Sequence, residues 1–205
     1  FLIPWLTDKI LNHKSKTLLK GPVYLDSEHP IGTYTELHKG ADVDVNGPFS
    51  YNYAISGWFY INPQPPNSSK SASEDTPILD YGGKPTVFYN ARSNTLTVTM
   101  QKAKGSHVDD GQRTIHILKG YKLPLQKWNQ IVLNMKAGTL DVFINGKLVM
   151  SGAEAVPNLA YDNLVVGQAN GVQGAVANVQ YHDEPMSLAQ ISLGYKAHSW
   201  KTPPV

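Results

Sequence analysis

The fold is decided by residues Gln126–Met150, which read QKWNQIVLNMKAGTLDVFINGKLVM. Every second residue from Ile131 to Met135 is a large apolar one, and this period of two predicts a strand with one buried face. A turn at residues 136–139 leads into a second alternating run. Asn145-Gly146, a pair that tolerates the positive φ angles of a type I′ turn, then leads into a third. The stretch therefore predicts three antiparallel strands joined by tight turns.

Length and composition agree with a β-rich domain. The chain has 205 residues, of which 41% are hydrophobic, and its 17 glycines and 14 prolines suit a fold with many turns. A formal net charge of +2 is too small to indicate a nucleic-acid partner. The sequence contains no cysteine, so it offers no disulfide, no thiolate metal site and no cysteine nucleophile.

Residues 1–20 differ from the rest of the chain. They begin with an apolar segment and continue with four lysines opposed by one aspartate. One interpretation is a juxtamembrane segment, whose lysines face anionic headgroups and whose hydrophobic tether lies upstream. The interpretation we favour is an N-terminal arm that packs on the domain or on a neighbouring subunit through Phe1, Leu2, Ile3 and Trp5.

Residues 21–205 are predicted to form one domain with a core spanning 49–195. Further strands are expected at 51–62, 78–81, 86–90, 95–101, 114–118, 164–167 and 174–181. In the last of these, alternation places Val176 on one face and Ala175, Ala177, Val179 and Tyr181 on the other. A capping box at Ser187–Gln190 predicts a short helix near the C-terminus. The sequence therefore predicts an all-β fold, a two-sheet antiparallel sandwich or jelly roll.

Three segments in this order resemble the concanavalin A-like lectin/glucanase superfamily, especially its laminin-G and pentraxin-like branch. They are a strand with a central Trp (YAISGWFYI, 53–61), the WNQIV…GTLDVFINGK hairpin (128–147), and the closing strand and helix (164–191). The resemblance implies a concanavalin A-like jelly roll. The chain is also similar to a version of this domain found in structural proteins of large double-stranded DNA viruses. That similarity lies in three short segments, 126–129, 161–164 and Pro203-Pro204. That narrower resemblance implies a virion component, often tethered at its N-terminus.

The sequence does not carry the catalytic pattern of the superfamily's glucanases. Retaining hydrolysis requires two carboxylates about 5 Å apart, which residues spaced along one strand face can supply. Here the acidic pairs are adjacent in sequence, at 74–75, 109–110 and 183–184, and we expect them in solvated loops. The seven histidines form no zinc-binding motif. We therefore expect no enzymatic activity, no cofactor and no metal.

Binding is the remaining class of function. Aromatic side chains that could form a glycan or partner surface are Tyr51, Tyr53, Tyr60, Tyr81, Tyr89 and Tyr121. The alternative, which we favour, is that these aromatic residues fill the sandwich core, and we assign Trp128 to the core as well. Asn67 begins a glycosylation sequon. The closing strand has Ala177-Asn178 where many relatives carry an acidic residue, which argues against a calcium site of the family's kind.

The sequence thus favours a non-enzymatic structural or adhesive module that contacts other structural proteins, capsid or membrane-associated, in a virion. The alternative is a carbohydrate-binding, lectin-like module that is extracellular or on a cell surface.

Overall fold

Two antiparallel sheets form the fold in the computed structural model of the chain, which describes residues 15–37, 52–64, 74–102, 114–153, 155–157 and 162–205. The strands are β1 Ser15–Leu19, β2 Val23–Tyr24, β3 His29–Gly32, β4 Tyr53–Ile61, β5 Thr76–Tyr81, β6 Thr86–Asn90, β7 Thr95–Gln101, β8 Thr114–Lys122, β9 Trp128–Lys136, β10 Thr139–Ile144, β11 Lys147–Gly152, β12 Leu164–Val166 and β13 Gly174–His182. The helices are α1 Tyr34–Leu37 and α2 Leu188–His198.

One sheet has seven strands in the order β1-β13-β4-β9-β10-β11, with β2 also paired to β13. The other sheet has six strands in the order β3-β12-β5-β6-β7-β8. The inner faces of the two sheets enclose one apolar core, to which nearly every strand contributes. The predicted all-β sandwich with a short C-terminal helix is therefore confirmed.

The predicted meander corresponds to β9, β10 and β11, paired in sequence order. Asn145 and Gly146 have φ angles of 52° and 74°, as the predicted type I′ turn requires. Ala137 and Gly138 repeat this left-handed pair at the preceding turn, with φ angles of 48° and 79°. Two-residue turns of this kind match the right-handed twist of the strands, and they explain why local sequence predicted the meander.

The prediction of a single buried face for β9 was wrong. Ile131, Leu133 and Met135 do face the main core, but Val132 on the opposite face is also fully buried. It belongs to a second, smaller cluster that joins the sheet to α2 and the residues before it, and whose other members are Ala54, Phe143, Met186 and Ile191. The helix covers this part of the outer face and buries it.

Hydrogen bonds fix the position of α2 on the sheet. The side-chain amide of Asn134 donates to the Met186 carbonyl at 3.2 Å, and its oxygen accepts from the Met186 N–H at 2.7 Å. The predicted capping box is present: the Ser187 hydroxyl accepts from the Gln190 N–H, and the Gln190 side chain accepts from the Ser187 N–H. These bonds satisfy donors that the first helical turn leaves free.

The predicted alternation along β13 was also wrong, because a β-bulge interrupts the strand. Ala177 pairs with Trp58 and Gln180 with Ser56, so two residues of β13 oppose Gly57 alone. Asn178 occupies the bulge with a φ of 48°. Beyond it the alternation is reversed, which places Val176, Val179 and Tyr181 together in the core.

The domain begins earlier than predicted. Residues Ser15–Leu19, assigned to the arm, form edge strand β1 and pair with β13. Leu25 and Leu37 are completely buried, so the core does not start at residue 49. The arm contacts predicted for Phe1, Leu2, Ile3 and Trp5 lie outside the described residues, as does the acidic pair at 109–110.

Candidate functional site

A row of four residues crosses the outer face of the seven-stranded sheet. Tyr24 on β2 pairs with Ala175 on β13, Ala175 with Tyr60 on β4, and Tyr60 with Trp128 on β9. Residues directly opposite each other on neighbouring strands project from the same face, about 5 Å apart. The small side chain of Ala175 therefore leaves a trough between the two tyrosines, roughly two strand spacings wide.

This trough is the centre of a continuous groove, which we call the aromatic groove. One part has a volume of about 390 Å³ and is lined by Pro22, Val23, Tyr24, Tyr60, Trp128, Ala175, Thr202 and Pro203. The adjoining part has a volume of about 340 Å³ and adds Asp26, Asn62, Gln173 and Gly174. Tyr24, Tyr60 and Ala175 line both parts.

The rim of the groove is polar and ordered by hydrogen bonds. The Gln64 side-chain amide donates to the carbonyls of Asn62, at 2.7 Å, and Gln173, at 2.9 Å. The Gln64 side-chain oxygen accepts from the Gln173 N–H at 2.7 Å. Asn62 also donates its backbone N–H to the Gln173 carbonyl. These bonds hold the end of β4 and the start of β13 together beside the aromatic row.

The aromatic row was only partly predicted. Trp128 is not a core residue as expected: it is half-buried, and its ring lies 5.5 Å from that of Tyr60, with the planes tilted by 59°. Tyr60 was predicted as a surface candidate and lines the groove. Tyr24, which is 73% exposed, was missed. Its position between Val23 and the buried Leu25 was the available signal, because alternation then directs Tyr24 outward.

Three tyrosines named as surface candidates lie in the core, as the favoured interpretation expected. Tyr53, Tyr81 and Tyr89 are 3%, 2% and 1% exposed, so these side chains do not form a ligand surface. The Tyr53 ring is 5.9 Å from the rings of both Tyr81 and Tyr181. Burial raises the pKa of Tyr53, Tyr81 and Tyr181 well above the ordinary tyrosine value.

One more predicted site residue, Tyr121, does not line the groove. Tyr121 is half-buried on β8 of the six-stranded sheet. Tyr51 and the sequon residue Asn67 lie outside the described residues, so both remain predictions.

One buried cation lies elsewhere in the sandwich. The Lys84 side chain is 1% exposed, and its Nζ is 3.1 Å from a carboxylate oxygen of Asp162. It also lies 5.1 Å from the Tyr81 ring centroid. Burial lowers the pKa of Lys84, while Asp162 opposes this shift. Because the ammonium is enclosed by the core, we assign it a structural role.

Among the described residues that line the groove, one is acidic, Asp26. Glu74 and Asp75 are exposed at the start of β5 in the other sheet, and Asp183 lies 3.9 Å from Lys16 at the edge of the seven-stranded sheet. Within the described ranges, no group of three or more histidine, aspartate or glutamate residues could hold a metal ion. The described helices also include none that is long and apolar enough to cross a membrane.

Known structures with this fold include receptor-binding modules. The "Binding domain of Botulinum Neurotoxin DC in complex with SialylT" matches with a TM-score of 0.54 and 16% identity, over 71% of this chain and 35% of that one. The receptor binding domain of botulinum neurotoxin D matches with a TM-score of 0.55 and 14% identity, over 76% of this chain and 39% of that one. The chain thus spans little more than a third of these domains, and the likeness concerns the fold.

The two-sheet sandwich with a groove on its outer face defines a lectin-type β-sandwich domain. The sequence matches the Laminin_G_3 family, described as "Concanavalin A-like lectin/glucanases superfamily", over residues 32–192. Because this match covers more than half of the chain, the protein belongs to that superfamily. Comparison with curated proteins gave no significant match.

Proposed function

We propose that this protein is a non-enzymatic, lectin-type binding module that holds a glycan in the aromatic groove. The observation that carries the proposal is the row Tyr24–Ala175–Tyr60–Trp128. In this row two tyrosines flank one small residue, and Trp128 extends the aromatic surface beyond Tyr60. The C–H faces of a sugar ring pack on aromatic rings, and the trough beside Ala175 is open to receive such a ring.

The polar rim supports the same ligand class. Binding pockets combine apolar and aromatic walls with a few placed polar groups that orient the ligand. Asn62, Gln173 and Asp26 offer amide and carboxylate groups at one end of the groove. A related fold is seen in a botulinum neurotoxin binding domain in complex with SialylT, which is consistent with glycan binding by this fold.

The small number of acidic residues in the groove supports binding without cleavage. Glycoside hydrolysis requires a pair of carboxyl groups flanking the bond. Among the described residues that line the groove, Asp26 is the one acidic side chain, and none of the others supplies a second carboxylate. We therefore propose a binding role, exercised outside the cell or on a surface, where domains of this type usually act.

A second candidate is a structural or adhesive protein of a virus particle that acts through protein contacts. It is supported by the narrower sequence resemblance at 126–129, 161–164 and Pro203-Pro204. Exposed apolar side chains on edge strand β11, Leu148 and Met150, would suit such contacts. A tether upstream of Phe1 belongs to this candidate. The two functions are compatible in a virion protein that attaches to glycans.

The test is a glycan array followed by calorimetry on the full chain and two variants, Tyr24→Ala and Trp128→Ala. An aromatic contact contributes about 0.5–1.5 kcal/mol, so each variant should weaken binding up to roughly tenfold. Tyr121→Ala, which alters a half-buried tyrosine on the other sheet, is the matched control and should bind normally.

Binding should persist in a calcium chelator. If no glycan binds, or if both groove variants bind as the native chain does, the glycan proposal is wrong. The protein-contact candidate would then be favoured.

A further inference from the structure

A second row of side chains, which we call the polar row, runs parallel to the aromatic row on the same face of the sheet. Its members are Asp26, Gln173 and Asn62, and all three line the adjoining part of the groove. The backbone N–H of Asn62 donates to the Gln173 carbonyl at 3.0 Å, so these two residues are neighbours across β4 and the start of β13. In sequence, each member of the polar row is separated by one residue from a member of the aromatic row.

Alternation places Asp26 beside Tyr24 on the outer face. Leu25, between them, is completely buried. Its N–H donates to the Gly174 carbonyl at 3.1 Å, which continues the pairing of β2 with β13 beyond Tyr24. Residues on either side of a buried one in an extended segment project from the opposite face, so Tyr24 and Asp26 both project outward, roughly 7 Å apart along the chain.

The same alternation applies to the neighbouring strands. Ile61 on β4 is completely buried, so Tyr60 and Asn62 on either side of it project outward. Gln173 and Ala175 are related in the same way at the start of β13. The aromatic row is therefore bordered by hydrogen-bonding groups, at a distance that one sugar ring with its hydroxyl groups spans.

Asp26 gives the polar row its charge. Its side chain is exposed, and the Ser27 hydroxyl donates to one of its carboxylate oxygens at 3.2 Å. None of the described residues is hydrogen-bonded to the other oxygen, which can therefore accept from a ligand hydroxyl. A hydrogen bond to an ionised group is roughly twice as strong as one between neutral groups, so Asp26 favours a ligand with many hydroxyl donors.

The lining of the groove contains no positive side chain that would offset Asp26. Among the described residues that line either part, none is a lysine, an arginine or a histidine. Lys201 precedes the lining residue Thr202, but its ammonium group donates to the Val205 carbonyl at 2.8 Å and lies 5.9 Å from the centroid of the Trp200 ring. The carboxylate of an acidic sugar would therefore meet Asp26 without a counter-charge, and like charges repel.

From these features we propose that the aromatic groove selects neutral glycans over acidic ones, and that Asp26 is the residue that determines this specificity. The inference rests on the proposed function of the groove in glycan binding. One neutral sugar ring lies in the trough at Ala175, and its hydroxyl groups bond to Asp26 and to the side-chain amides of Asn62 and Gln173. Specificity then comes from charge repulsion against acidic sugars as well as from contacts with neutral ones.

The experiment uses an array on which each neutral oligosaccharide is printed beside the same oligosaccharide with a terminal sialic acid or uronate. Calorimetry on the full chain then measures both members of the pair that contains the tightest ligand. The neutral member should bind at least several-fold more tightly than the acidic member.

Three variants assign this preference to one residue. Asp26→Asn keeps the size without the charge and should weaken binding of the neutral member and reduce the preference, whereas Asp26→Lys should reverse the preference. Glu28→Gln is the matched control, because it removes an exposed carboxylate nearby in the chain that does not line the groove, and it should behave like the native chain. All three variants alter exposed residues, so their melting temperatures should equal that of the native chain.

The outcomes separate this inference from the proposed function. If no glycan of either kind binds, the proposed function is wrong and the inference is wrong with it. If glycans bind but the acidic members bind as tightly as the neutral ones, or if Asp26→Asn keeps the full preference, selection by Asp26 is wrong while glycan binding stands.

Discussion

Tyr60 and Trp128 lie directly opposite each other on β4 and β9, with ring centroids 5.5 Å apart. Both rings project from the outer face of the sheet, where both side chains are half-buried. The pair forms one wall of the aromatic groove, and Ala175 lies beside Tyr60 on the other side. The ligand-binding character of the groove therefore depends on the small size of one residue between aromatic neighbours.

The first prediction concerns that small residue. Ala175→Leu should fill the trough and weaken glycan binding at least roughly tenfold, while the melting temperature changes little because residue 175 is only half-buried. Ala175→Ser, which keeps the size, should bind like the native chain. Equal affinities for the two variants in calorimetry would show that the ligand does not enter the trough.

The second prediction concerns the turn of the β10–β11 hairpin. Gly146→Val should destabilise the domain by roughly 1 kcal/mol or more, because a β-branched residue tolerates a φ of 74° poorly. An added Cβ would also lie 3.2 Å from the Cβ of Tyr195 in α2. Gly21→Val is the control, since a Cβ added at Gly21 would have no atom within 4 Å. Chemical denaturation should therefore separate the two variants, and equal midpoints would contradict the prediction.

The third prediction concerns pH. His182 is 3% exposed, and burial lowers its pKa from 6.5 to about 4. The folded state disfavours the charged ring. The contribution of neutral His182 to the free energy of unfolding is therefore fully present above pH 6.5 and is lost as the pH falls towards 4. The loss attributable to this residue is about 3 kcal/mol.

Thermal denaturation between pH 7 and pH 4 checks this prediction. His182→Gln should flatten the dependence, whereas His116→Gln, which alters an exposed histidine, should retain it. A native chain and a His182→Gln variant with parallel pH profiles would show that His182 does not cause the loss.

The fourth prediction concerns the N-terminal boundary. Deleting residues 1–20 removes β1, whose pairing with β13 and whose partly buried Leu18 and Leu19 support the core. The melting temperature should fall by roughly 5 °C or more. Deleting residues 1–14 keeps every strand of the described sheets and should have a much smaller effect. If the two truncated chains have the same melting temperature, β1 does not stabilise the sandwich.

The sequence alone determined the features whose causes lie within a few residues. The β9–β11 meander follows from alternation and from a turn pair, Asn145-Gly146, that accepts positive φ angles. The start of α2 follows from Ser187 and Gln190, which satisfy the first turn of the helix themselves. Such elements are predictable because their hydrogen bonds are local.

The tertiary structure decided which faces are covered and which are open. In a β-strand, alternation of side chains shows which residues share a face of the sheet. It does not show what packs against that face. Val132 is buried because α2 covers it, whereas Trp128 on the same strand is only half-buried and lines the groove. The bulge at Asn178 reverses the alternation of β13. The backbone N–H of Asn178 donates to the carbonyl of Lys20, which follows β1. These outcomes depend on residues far apart in the chain, so no local pattern could predict them.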